Sequence, residues 1–331
     1  MTSRKAFLYI AIAAAVLAFG VVMLGAYVRL SQAGLGCPDW PGCYGHLAVP
    51  SSTEVNSSLL AARPLEPARA WKEMIHRYFV GGLSTLIFAL AVLAFWRRKE
   101  MDQAKLLPAL LVVLLVLQAL LGMWTVTLLL FPPVVTAHLL GGLATFSLLV
   151  LLVLQSGGYL KLGAGATDGM RRLAALSLAV LICQIALGGW VSSNYAAIAC
   201  PDFPTCQGSL WPPAMDFASG FSWHGLGADY QGGILANPAR MAIHMTHRLG
   251  ALITFLVLGF TCFDTALRAR DRRLRLLAGM AGALLLTQIA LGISLVEFGW
   301  PLAIADLHNG VAALLLSSVV TLNWAVNAGK R

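Results

Sequence analysis

The sequence predicts an all-α integral membrane protein: eight transmembrane helices forming two pseudo-symmetric four-helix bundles, related by a parallel internal repeat. Three observations predict it. The 331 residues are 59% hydrophobic and only 11% charged, with a mean hydropathy of +0.78, too little polar surface to cover a water-soluble globule of this size. Eight apolar runs approach or exceed the roughly 20 residues that span a bilayer. The second half of the chain repeats the first.

The runs fall near 6–28, 74–96, 106–130, 134–155, 173–194, 241–263, 275–298 and 302–326. The first follows MTSRK but exceeds the ~7 to 15 apolar residues of a secretory signal, so it is read as a helix that stays. Lys and Arg resist translocation and set orientation. Sixteen of the 23 lie in segments 1–5, 97–105, 157–172, 264–275 and 327–331, which puts both termini in the cytoplasm. The net charge of +9 is therefore mostly an orientation signal, and nucleic-acid binding is not expected. The opposite, outer side receives two long loops, 29–72 and 195–239, and two tight turns, FPP at 131–133 and GWP at 299–301.

Self-comparison aligns GAYVRLSQAGLGCPDWPGCYG (25–45) with GGWVSSNYAAIACPDFPTCQG (188–208), an offset of 163. EMIHRYFVGGL (73–83) aligns with HMTHRLGALIT (244–254), QALLGMWTV (118–126) with QIALGISLV (288–296), and TAHLLGGLA (136–144) with ADLHNGVAA (305–313). Each half thus holds four helices and enters the membrane in the same direction, with the symmetry axis along the membrane normal. The expected division is 1–156, a cytoplasmic linker 157–172, and 173–331.

The histidines carry the chemistry. His46 and His224 lie in outer loops and are read as solvated. His76 and His138 are 62 residues apart on the second and fourth helices; His247 and His308 are 61 apart on the sixth and eighth. All four lie near the outer helix ends, so each pair meets at one depth across a bundle. That arrangement suits a haem iron with two axial imidazoles, whereas an imidazole left unpaired in hydrocarbon is costly. The plainer alternative is four histidines that hydrogen-bond neighbouring helices. Arg29, Arg77 and Arg248 stand at the same level and could pair with haem propionates or snorkel to headgroups. Gly81, Gly82, Gly141 and Gly142 follow the ligands and permit close helix packing.

Glu73 precedes His76 by three residues, and His244 precedes His247 by three. One helical turn puts each on the face of its ligand. A carboxylate there is a candidate for proton transfer, with a salt bridge to Lys72 or Arg77 as its structural alternative; His244 is read as a hydrogen bond within the second bundle. The clasps CPDWPGC (37–43) and CPDFPTC (200–206) are on the side where disulfides persist. The expected bridges are Cys37 to Cys43 and Cys200 to Cys206, each worth about 2 kcal/mol in the chain-entropy treatment, rigidifying lids above the sites; thiol or electron exchange by the first pair is the alternative. Cys183 and Cys262 are read as apolar fillers within helices.

In combination, CPDWP after the first helix, E-x-x-H-R at Glu73, His76 and Arg77, TAH at His138, THR at His247 and LH at His308 resemble the haem A synthases of aerobic bacteria and mitochondria over nearly the whole chain. The resemblance implies an oxidoreductase that converts haem o to haem a for cytochrome oxidase assembly, taking one porphyrin methyl group through hydroxymethyl to a hydrated aldehyde that loses water. It implies substrate haem on His76 and His138, resident haem b on His247 and His308, and Glu73 as the catalytic residue. It also implies a bacterial inner membrane location with periplasmic loops and disulfides. The partners implied are the lipid bilayer, an electron donor, the haem o synthase and cytochrome oxidase assembly factors. The competing readings are a di-haem b electron-transfer cytochrome and a haem carrier.

Overall fold

The computed structural model describes residues 3–52, 54–55, 63–96, 106–158 and 166–328. The basic segment 97–105, parts of those at 1–5 and 327–331, and residues 159–165 of the linker 157–172 lie outside the described residues. Eight helices among the described residues are long and apolar enough to cross a membrane: α1 (Ser3–Leu30), α2 (Pro67–Trp96), α3 (Leu106–Thr127), α4 (Pro132–Ser156), α5 (Asp168–Ser193), α6 (Asn237–Arg268), α7 (Arg272–Glu297) and α8 (Leu302–Asn327). Each coincides with one expected run, and the chain is a multi-pass membrane protein. Helices are the form this composition must take, because in hydrocarbon every backbone N–H and C=O has to be satisfied within the segment.

At the loop end two helices extend well beyond their apolar runs. α2 begins at Pro67 and α6 at Asn237, adding a polar first turn or two that packs under the loops. The turns between α3 and α4 and between α7 and α8 are tight, as expected. Leu129, Leu130 and Trp300 adopt positive φ there, and Pro132 then starts α4 at a position where its missing N–H costs nothing.

Packing follows connectivity. α1 touches α2 and α4, and α3 touches α2 and α4; α5 touches α6 and α8, and α7 touches α6 and α8. α2 and α4 therefore stand across one ring of four helices, and α6 and α8 across the other. The rings meet through α1 with α8, α4 with α8, and α4 with α5.

The continuous apolar core occupies the end of the bundle away from the loops. It includes Phe7 to Ala18 on α1, Leu83 to Ala94 on α2, Leu143 to Leu152 on α4 and Ala313 to Val319 on α8. Ala11, Ala14 and Ala18 on α1 let neighbouring helices approach closely. Large apolar side chains such as Phe88, Val113, Leu256 and Phe263 are exposed on the outside, as a lipid-facing surface requires. At the loop end this core stops, and smaller clusters take over around each clasp.

The two long loops lie at that end, and the second reaches over the first ring. The Tyr230 N–H donates to Leu129 O at 3.0 Å; Phe131 packs edge-on against Trp223, ring centroids 4.9 Å apart. Arg63 pairs with Asp229 at 3.0 Å and bonds Gln231. Where the first loop meets α2, Gly36 lies so close that a Cβ on it would come within 2.6 Å of the Arg69 carbonyl carbon. Backbone cannot yield as a side chain can. Gly36→Ala is therefore expected to lift the first loop from α2 and cost about 1 to 3 kcal/mol, read as a lower midpoint of thermal unfolding in detergent.

Candidate functional site

The four intramembrane histidines are brought to one level by a shared device. Gly25, Gly122, Gly188 and Gly292 each stand five residues before the last residue of α1, α3, α5 and α7, namely Leu30, Thr127, Ser193 and Glu297. On each rests the imidazole of the next helix. A Cβ would come within 2.9 Å of His76 at Gly25, 3.4 Å of His138 at Gly122, 3.1 Å of His247 at Gly188 and 3.3 Å of His308 at Gly292. At three of these seats, at 3.3 Å or less, the ring could not keep its place beside a larger residue.

The rings meet in pairs. His76 lies within electrostatic range of His138, and His247 of His308. Each pair comes from helices that face each other across a ring. All four imidazoles are only part-buried, although they sit inside the bundle. Nδ1 of His76, His138 and His308 is buried without a hydrogen-bond partner. Orphaned ring nitrogens, opposed pairs and a glycine seat beside each ring fit a bis-imidazole haem site, and the simpler reading of four helix-bridging histidines leaves those nitrogens unexplained.

Glutamines one turn deeper than three of the glycines distinguish the pairs. The Gln184 amide lies 3.1 Å from His247 Nδ1, and that of Gln288 lies 3.1 Å from His308 Nε2. Gln118 instead packs against Gly141, which has no room for a Cβ beside that amide. The corresponding residue on α1 is Val21, so His76 has no such neighbour. Gly81 meets nothing, and Gly82 only Leu17 at ordinary distance.

The arginines hold the clasps. Arg77 Nη1 donates to the carbonyls of Asp39, Pro41 and Gly42. Arg248 donates to those of Cys200, Asp202, Pro204 and Thr205. Residues 39, 41 and 42 correspond to 202, 204 and 205 at the offset of 163 seen in the sequence. Both clasps are closed by the expected disulfides, Cys37–Cys43 and Cys200–Cys206. Inside each, an aspartate satisfies the turn: Asp39 accepts from the N–H of Tyr44 and Gly45 at 2.6 and 2.7 Å, Asp202 from Gln207 and Gly208 at 2.6 and 2.9 Å. Tyr44 and Gln207 have φ of 52°, so these bonds hold backbone in the left-handed region. The Thr205 hydroxyl and these amides keep the Asp202 carboxyl below the ordinary aspartate range.

Glu73 is buried, 4% exposed. Its Oε1 pairs with Arg77 at 2.5 Å, and its Oε2 accepts from the Cys37 N–H at 2.9 Å. The carboxylate thus joins α2 to the first clasp, and of the two cations expected to pair with it, Lys72 and Arg77, the structure brings Arg77 into contact. His244 is likewise buried, 3.1 Å from the Ala196 carbonyl and edge-on to Trp300. Arg29 crosses between the rings, donating to Tyr195 Oη at 2.9 Å and Ser192 O at 2.6 Å, while its Nε is buried without a partner. His46 and His224 are exposed in the loops. Cys262 is buried against the core, whereas Cys183 faces outward.

Sequence reasoning singled out the glycines after the ligands and missed the four that seat them. The available signal was a Leu-Gly pair near the end of every odd-numbered helix: 24–25, 121–122, 187–188 and 291–292. It also gave the arginines to an outside ligand without seeing that the clasp carbonyls compete for them.

Residues 8–320 match the COX15-CtaA family, described as cytochrome oxidase assembly protein. A heme A synthase of Shewanella oneidensis is 45% identical over 312 residues, 92% of each chain. Heme A synthases of a Chelativorans species and of Halalkalibacterium halodurans are 26% and 25% identical, covering 94% of this chain and 88% and 93% of their own.

The two arginines should differ in energetic role. With side chains 12% and 6% exposed, Arg77 and Glu73 form a buried pair, so Arg77→Ala is expected to cost about 3 kcal/mol by stranding the carboxylate. Arg248 serves uncharged carbonyls and lies over the Phe203 ring, and Arg248→Ala is expected to cost about 1 to 2 kcal/mol. Adding Glu73→Gln to Arg77→Ala should recover part of the first loss. Unfolding midpoints of the four proteins check this.

Proposed function

The chain belongs to the COX15-CtaA family of cytochrome oxidase assembly proteins, and on that premise we propose that it is a haem A synthase, an oxidoreductase that converts the methyl group of haem o to the formyl group of haem a. The observation that carries the reading is the pair of opposed imidazoles in each ring, each imidazole set on its own glycine at one level.

In this reading substrate haem o is held by His76 and His138, and haem b by His247 and His308. Haem b, when bound, supplies a one-electron carrier beside the substrate site. The remaining chemistry belongs to the chain. Gln184 and Gln288 stand against the rings of the second pair and limit their rotation; a resident cofactor gains from such fixing. His76, with Val21 in place of a glutamine, is left freer, which suits a ligand that must release a product.

Glu73 stands one helical turn from His76 and is the group that holds negative charge or accepts a proton at Oε1 as the methyl carbon is oxidised. Its counterpart His244 cannot carry negative charge there, so the acid belongs to one half only. That asymmetry favours an enzyme over an electron-transfer cytochrome. Arg77 and Arg248 act mainly by holding the clasps over the two sites. Arg29 is held by Tyr195 and Ser192 of the second half with Nε left unpartnered, so a propionate contact from it belongs to the second site.

We further infer that the two rings are a parallel pseudo-symmetric repeat, supported by the matching clasps and glycine seats. The membrane is the bacterial inner membrane, with termini cytoplasmic and the disulfides periplasmic, supported by the distribution of Lys and Arg. A haem o synthase as supplier and cytochrome oxidase assembly factors as receivers are the partners this activity calls for.

Expression in cells that supply haem o but lack haem a, followed by pigment extraction, tests the activity. The formyl haem is the expected product; haem b alone would mark a cytochrome and overturn the reading. Glu73→Gln is expected to keep the protein red while stopping conversion. The glycine seats separate the two sites: Gly188→Val is expected to strip the haem that survives purification, and Gly25→Val to leave that haem in place while abolishing turnover.

A further inference from the structure

The cations near the first site are nearly all committed. Arg77 serves the clasp and Glu73, Arg29 bonds Tyr195 and Ser192, and Arg69 pairs with Glu66 at 2.9 Å. Lys72 is different. Its ammonium sits 5.1 Å from the centroid of the Tyr27 ring, and no carboxylate among the described residues pairs with it.

Its position is informative. Lys72 precedes His76 by four residues, so the two share one face of α2, with the ammonium a turn nearer the loop end. Tyr27 lies two residues beyond Gly25, the seat of the His76 ring. The Lys72 and Tyr27 contact therefore joins the same two helices as the His76 and Gly25 contact, nearer the loop end. A porphyrin ligated by His76 must turn its carboxylate edge toward that end, since carboxylates in hydrocarbon are prohibitively costly. A cation resting on a part-exposed aromatic ring is held weakly and is free to swing to a carboxylate.

The second half differs at both positions. The positions aligned with Lys72 and Tyr27 are Ile243, which is fully buried, and Trp190, whose indole N–H donates to Gly220 O at 3.0 Å. We propose that Lys72 binds a carboxylate of the porphyrin held by His76, giving the first site a carboxylate-dependent affinity through a contact that Ile243 cannot make in the second. This rests on the assignment of a haem to His76, and the experiment separates the two.

The purified full-length chain with its resident haem is titrated with haemin and with haemin dimethyl ester, followed at the Soret band. The parent is expected to bind the diacid about tenfold more tightly than the ester, the scale of one charge-assisted hydrogen bond. Lys72→Gln should bring the diacid down to the level of the ester and leave the ester unchanged; Lys72→Arg should restore the preference. His76→Ala should abolish binding of both forms, and if it does not, the haem assignment itself fails. If His76→Ala abolishes binding but Lys72→Gln keeps the diacid preference, or weakens both forms equally, the role of Lys72 is overturned while the haem assignment stands.

Discussion

Everything at the functional level depends on steric room inside a four-helix ring. An imidazole projecting toward the axis needs space that helices packed at ordinary distance do not leave. The chain makes that space by removing one side chain opposite each ring. Gly25, Gly122, Gly188 and Gly292 are the four removals, and their common distance from the helix ends fixes all four rings at one depth. The dense core at the other end of the bundle supplies the stability that such openings forgo.

The clasps are the second layer of the same construction. A short disulfide loop has little core of its own, and its carbonyls need donors. Arg77 and Arg248 provide them from the residue after a histidine, so the segment that carries the ligand also carries the tether of its cover. In the first half Glu73 adds a third strand to this tether through Cys37. Movement of the first clasp, of α2 and of the ring on Gly25 is therefore coupled through a few hydrogen bonds.

The spans were legible because a run of some 20 apolar residues has few alternatives, and the paired histidines because their spacing repeats. The polar starts of α2 and α6 were not. Residues 67–72 and 237–239 read as loop by hydropathy, yet they continue α2 and α6 under the loops. The glycine seats lay inside segments already aligned: Gly122 and Gly292 in QALLGMWTV and QIALGISLV, Gly25 and Gly188 at the heads of 25–45 and 188–208. With 32 glycines in the chain, sequence alone does not say which ones face a ring. Nor does it weigh competitors: Arg77 and Arg248 stand where propionate partners would be sought, and only coordinates show the carbonyls that occupy them.

The second loop crosses to the first ring, where Tyr230, Trp223 and Asp229 meet Leu129, Phe131 and Arg63. One half thus builds part of the roof of the other. A fault in the second loop is therefore felt twice: losing Trp223 or Asp229 would loosen the turn after α3 and the first loop along with the segment that carries them.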